Sequence, residues 1–234
     1  MVNLKKRIEK SRKWIDKRRF ILLLVATSLA LILPAFGGNS FFNNILFVIG
    51  MSFLLIQSMI VATTKKTKRV WLRYLIAFTM VCLFWMEPLG VKLFQLDIMK
   101  LILIVLFFGF ISYLLMRFIR NSPKVNANVI ITAINLYLMI GIIAGSLAFL
   151  FYKLLPDAYN FPSYITRPDF VSFNYYSFIT MSTVGYGDIT PRLPQTQTLG
   201  YLIAVTGQLY VAIIIAFLVG KLLVHAGEDE VTND

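Results

Sequence analysis

The residues whose types and spacing could do chemistry are six in a row: Thr183, Val184, Gly185, Tyr186, Gly187 and Asp188. Their chemistry is that of the backbone. A cation leaving water must exchange its hydration oxygens for others of nearly equal energy. Stacked carbonyls from several chains can supply those oxygens. To aim successive carbonyls the same way, the backbone must alternate between ordinary and left-handed conformations. Glycine adopts φ > 0 at little steric cost, which suits Gly185 and Gly187. Thr183 can add a hydroxyl oxygen below the carbonyl rings. Val184 and Tyr186 would point away from the ions and brace the loop.

Such a loop needs elements to hold it inside a membrane, and the composition provides for them. The chain has 234 residues, 58% of them hydrophobic, with a formal net charge of +12 and a mean hydropathy of +0.75. These values predict a polytopic membrane protein. Cys82 is the single cysteine and His225 the single histidine. This excludes an internal disulfide and any site built on several Cys or His. The first nineteen residues carry nine Lys or Arg, with Leu4, Ile8 and Ile15 at helical spacing and Trp14 beside them. That pattern predicts an amphipathic helix on the cytoplasmic surface, against anionic lipid. A disordered basic tail is the alternative.

Six apolar runs follow, at about Phe20–Phe36, Phe41–Thr63, Val70–Met86, Ile98–Ile119, Val129–Tyr152 and Thr198–His225. Each is long enough to cross a bilayer, or nearly so. Lys and Arg concentrate before the first run, after the second (Lys65, Lys66, Lys68, Arg69) and after the fourth (Arg117, Arg120, Lys124). The positive-inside rule then places both termini in the cytoplasm and the Gly185–Gly187 loop near the outer face. The fold class predicted is an all-α transmembrane subunit with a re-entrant helix and loop. Its parts are a basic segment 1–19, a four-span region 20–122, a pore region 123–226 and an acidic tail 227–234. Between the fifth run and the re-entrant helix, Pro156, Pro162 and Pro168 predict an irregular outer turret, and Asp169 is placed to cap the helix.

The motif and its setting resemble the pore-loop potassium channels of the tetrameric cation channel superfamily. The match covers the whole Thr-Val-Gly-Tyr-Gly-Asp filter, a preceding pore helix over Phe173–Ser182, and Gly207 at the position of an inner-helix hinge. It is good over about Val129 to His225; the earlier part agrees only in number of segments. The resemblance implies that Thr183, Val184, Gly185 and Tyr186 form the potassium sites of a four-chain assembly. It implies no cofactor beyond the transported ion. It implies support from Gly187 and Asp188, with Tyr176 at an aromatic position that hydrogen-bonds Asp188 or else simply packs. Ile179 stands where some members carry a glutamate, so a carboxylate pair behind the filter is absent. Gly207 serves as a hinge or as a close-packing site. Val211 and Ile215 are expected to face the cavity, and Ala216, Val219 and Leu223 to line the cytoplasmic mouth. Gly141 and Gly145 read as packing positions in the fifth run.

The fourth run has no charge between Leu101 and Met116, so a steep voltage sensor is not expected. The function predicted is passive, potassium-selective conduction across a plasma membrane, with a bacterial inner membrane as the setting. Two alternatives are a weakly selective cation channel of the same fold and a non-conducting sensor or receptor subunit. A carrier lacks its paired broken spans. An enzyme lacks a nucleophile–base or metal constellation.

Overall fold

The computed structural model describes residues 18–36, 40–62, 70–86, 89, 93–165 and 168–231. The basic segment 1–19 therefore lies almost wholly outside the described residues. The chain forms two compact units, 1–92 and 93–234. Within the first, α1 (residues 18–32) runs into a 3-10 turn at Leu33–Phe36 that contains Pro34. It is followed by α2 (Ser40–Ala62) and α3 (Val70–Met86). Helices α1 and α2 cross closely, because a Cβ on Gly50 would lie 2.8 Å from the Ala30 backbone. Helix α3 packs on α2 through the Phe47–Phe84 ring contact, centroids 5.8 Å apart, and through Trp85 Nε1 donating to Ser52 Oγ at 3.3 Å.

The second unit contains α4 (Phe94–Asn121), α5 (Ala127–Leu154), the two-residue strand β1 (Tyr159–Asn160), α6 (Phe170–Met181), the two-residue strand β2 (Thr190–Pro191) and α7 (Pro194–Val231). Among the described residues, five helices are long and apolar enough to cross a membrane: Arg18–Phe36, Phe42–Ala62, Phe94–Asn121, Ala127–Leu154 and Pro194–Leu223. The protein is thus a multi-pass membrane protein. Helix α3, which forms the third apolar run, has 17 residues. At about 1.5 Å per residue it falls short of the roughly 30 Å hydrocarbon thickness.

Helix α4 packs lengthwise on α5. Its buried stripe is Leu101, Ile104, Phe108, Ile111 and Leu115, at helical spacing. The opposite face exposes Ile102, Leu106 and Tyr113, an apolar surface suited to lipid. An ion pair ties the two helices near one end, where Lys153 Nζ lies 3.0 Å from Asp97 Oδ2. Lys100 Nζ adds a contact to the same carboxylate at 3.4 Å. The compact unit thus begins at Leu93, before α4. The division expected from the sequence, at 122/123, separates four apolar runs from the pore region and is a different partition from this one by packing.

Candidate functional site

The re-entrant helix α6 begins at a side-chain cap. Asp169 Oδ1 accepts from the Ser172 N–H at 2.9 Å and from Ser172 Oγ at 2.8 Å, which satisfies a free amide of the first turn. Around its first half lies a cluster of rings. Phe173 stacks on Phe149 at 5.2 Å and meets Tyr159 edge-on at 5.1 Å, while Tyr152 and Phe161 close the group. The first part of the Pro-rich turret is paired, which its sequence did not predict. Tyr159 and Asn160 pair with Pro191 and Thr190, and the Ala158 carbonyl accepts from the Arg192 N–H at 2.9 Å and from Thr196 Oγ1 at 3.0 Å. The segment entering α6 is therefore bound to the segment leaving the Gly185–Gly187 loop. Burial among these rings pushes the Tyr159 hydroxyl well above the ordinary tyrosine range.

Helix α5 is the wall behind α6. Ser177 Oγ donates to the Gly141 carbonyl at 2.8 Å. A Cβ on Gly141 would overlap the Phe178 ring, and one on Gly145 would come within 3.0 Å of the Asn174 and Phe173 backbones. Both glycines are packing positions, which allow two backbones to approach.

The C-terminus of α6 delivers the chain into the loop. The Ser182 N–H donates to the Phe178 carbonyl at 2.9 Å, the Thr183 N–H to the Thr180 carbonyl at 3.0 Å and the Gly185 N–H to the Ile179 carbonyl at 3.0 Å. The loop is thus fastened from within, through its amides. Positive φ then recurs at every second residue: Thr183 at 62°, Gly185 at 52° and Gly187 at 77°. This is the alternation of hand that stacked carbonyls require. At Thr183, a β-branched residue, the conformation costs about 1–3 kcal/mol. Among the described residues, nothing donates a hydrogen bond to the carbonyls of residues 183–186. Val184 and Tyr186 are 53% and 72% exposed, so whatever braces them lies outside their own chain.

Asp188 is held by a different tyrosine from the one expected. Tyr175 Oη donates to Asp188 Oδ2 at 2.7 Å. Tyr176 is 3% exposed and turned toward Tyr159, 5.5 Å away, with its hydroxyl against Gly200 of α7. The reason is helix phase. Tyr175 precedes Ile179 by one turn and shares its loop-facing side, whereas Tyr176 sits about 100° round the helix. Donating this hydrogen bond to Asp188 holds the proton on the Tyr175 hydroxyl and pushes its pKa up to about 12.

Helix α7 touches its own chain along one stripe, where Ile203, Gly207 and Ile214 are buried. A Cβ on Gly207 would overlap the Met181 carbonyl oxygen and lie 2.5 Å from Met181 Cγ. Close packing therefore accounts for glycine there without any bending. One turn further on, Tyr210 Oη donates to the Ala133 carbonyl of α5 at 2.6 Å. Val211, Ile215, Ala216, Val219 and Leu223 are all exposed. Val211 lies next to the packed stripe, while Ile215 and Val219 share a face with Gln208 at helical spacing. Gln208, which composition alone did not bring forward, points Nε2 at Thr183 Oγ1, 3.4 Å away. A lone carboxamide in the apolar stretch from Leu199 to Lys221 was the available signal.

An ion-channel family model matches residues 100–223, more than half of the chain. The chain belongs to the ion channel family. The match includes α4 as well as α5, α6, the loop and most of α7. No curated protein and no solved structure matches the chain significantly. As an ion channel it is a membrane transport protein. Among the described residues no group of three or more His, Cys, Asp or Glu gathers in a metal-binding arrangement.

Proposed function

We propose that four copies of this chain form a potassium-selective channel, with Thr183, Val184, Gly185 and Tyr186 lining its filter. The observation that carries this reading is the left-handed backbone at residues 183, 185 and 187, on a loop whose carbonyls accept no hydrogen bond among the described residues. Carbonyls left free in a membrane must be satisfied by something, and a desolvated cation does so. One loop cannot enclose an ion, whereas four around an axis can. The exposed faces of α7, Val184 and Tyr186 are the surfaces such neighbours would cover. The negative end of the α6 dipole, at Met181, would favour a cation in the cavity below. Val211 and Ile215 would face that cavity, and the apolar side chains at Ala216, Val219 and Leu223 would form the narrow inner mouth, with α7 held against the base of the loop at Gly207. In this reading all six apolar segments cross a plasma membrane, both termini are cytoplasmic, and the basic residues of 1–19 engage anionic lipid. A peptide of that segment should bind anionic vesicles far better than neutral ones.

The decisive experiment is current recording from purified protein in planar bilayers, with potassium on one side and sodium on the other. A reversal potential displaced strongly toward the potassium equilibrium value is expected. A value near zero would instead identify a weakly selective cation channel, and absence of any unitary current a non-conducting sensor.

A further inference from the structure

Gln208 is the sole carboxamide between Leu199 and Lys221 of α7. Polar side chains at such depth are expensive unless partnered, and are a common mark of function. Its partner is Thr183, the first residue of the loop. Three observations fix what the contact can be. Thr183 Oγ1 donates its hydrogen to the Ser182 carbonyl at 2.7 Å. Gln208 Nε2 lies 3.4 Å from that same Oγ1. Gly207, the residue before it, lies against the Met181 carbonyl so tightly that α7 cannot slide past the base of the loop without breaking that packing.

A hydroxyl has one hydrogen and two lone pairs. With the hydrogen committed to Ser182, Gln208 can meet Oγ1 only through an N–H, and that N–H takes one lone pair. One lone pair is left for a cation. A donor aimed at a ligand oxygen also competes with a positive ion for the same electron density. Resting on the potassium-filter reading, we propose that Gln208 is a positioning residue that weakens the innermost cation site, the one formed by the Thr183 hydroxyls. Conduction needs sites tight enough to admit an ion and loose enough to release it. Gln208 supplies looseness at the cytoplasmic end, where ions pass between the loop and the cavity. It also gives α7 a direct handle on the loop, since any movement of the helix at Gly207 lengthens or shortens this bond.

The test uses barium, a divalent ion of nearly potassium's size, applied from the cytoplasmic side to the full-length channel in bilayers. Gln208→Leu keeps the bulk and removes the donor; Gln208→Met is the substitute if the leucine variant does not assemble. Barium block should tighten about two- to tenfold, the range set by one hydrogen bond of ordinary net strength. In a Thr183→Val background, where the hydroxyl is gone, the same change at 208 should have no effect. If the valine channels carry no current, barium binding to the purified assemblies by calorimetry makes the same comparison. Unchanged or weaker block in Gln208→Leu, or equal tightening with and without the Thr183 hydroxyl, would overturn the proposal. Potassium over sodium selectivity is measured separately in the wild type. A non-selective wild type whose block still depends on Gln208 through Thr183 would remove the filter reading and leave the coupling standing.

Discussion

At the scale of single residues, backbone conformation outweighs side-chain chemistry in this site. Gly185 has φ of 52°, and a Cβ added there would meet nothing within 4 Å. The obstacle to a side chain is therefore the conformation itself, at about 1–2 kcal/mol in each subunit. Gly185→Ala should assemble normally yet lose potassium selectivity or conduction, judged by native-size gels beside bilayer recording. Unaltered selectivity would show that the left-handed backbone at 185 does not matter. The Tyr175–Asp188 bond gives a second contrast. Tyr175→Phe should change the open probability of single channels, whereas Tyr176→Phe, which removes a hydroxyl packed against Gly200, should leave it near the wild-type value. The raised value at Tyr175 sets the pH window. Its protonated, donating form is favoured by folding, so the contribution is complete below the ordinary 10.0 and is lost only as pH rises through about 12. Open probability that falls between pH 7 and pH 9 in wild type, but not in Tyr175→Phe, would contradict this. Both adjacent tyrosines are equally plausible partners by composition. Only the phase of α6, set by Ile179, separates them. The glycines at 185 and 187 were legible because few other residues accept that backbone.

At the scale of elements, α6 is the piece around which the second unit is arranged. Its start is capped by Asp169, its back lies on Gly141 and Gly145, and its end abuts Gly207. Gly207→Ala would force the Met181 carbonyl aside, while a Cβ on Gly220 would meet nothing within 4 Å. Gly207→Ala is expected to cut the yield and the melting temperature of the detergent-solubilised assembly. Gly220→Ala is expected to leave both unchanged, and equal behaviour of the two would mean that α7 is free of α6 at this point. Hydrophobic runs, the Asp169 cap and the packing glycines of α5 could all be read from the sequence, since each follows from a local rule. The pairing of β1 with β2 could not, because two-residue strands have no period. Nor could the allegiance of α4, which depends on a packing partner distant in the chain.

For the whole molecule, the distribution of charge along α4 decides how it can respond to voltage. From Leu101 to Met116 the helix has no charged side chain. Lys100 is 9% exposed and already sits against Asp97, while Arg117 is roughly 25 Å further along the axis. Steep gating uses about 3–4 charges per subunit, each worth about 2.3 kcal/mol per 100 mV when it crosses the whole field. Open probability is therefore expected to vary only shallowly with voltage, through ion movement in the loop if at all. A steep activation curve that flattens on neutralising Arg117 and Arg120 would show that α4 does carry gating charge.

The outward faces of Val184, Tyr186 and α7 have a consequence for inheritance. If each ion site is completed only by neighbours, a chain with a damaged loop spoils every assembly that includes it. When wild-type and Gly185→Ala subunits are made in equal amounts and mix at random in fours, about one assembly in sixteen is wholly intact. Current should fall to about that fraction and not to one half. One defective copy of the gene would then behave as a dominant lesion, and the residual current, plotted against the mixing ratio, would count the subunits around the pore.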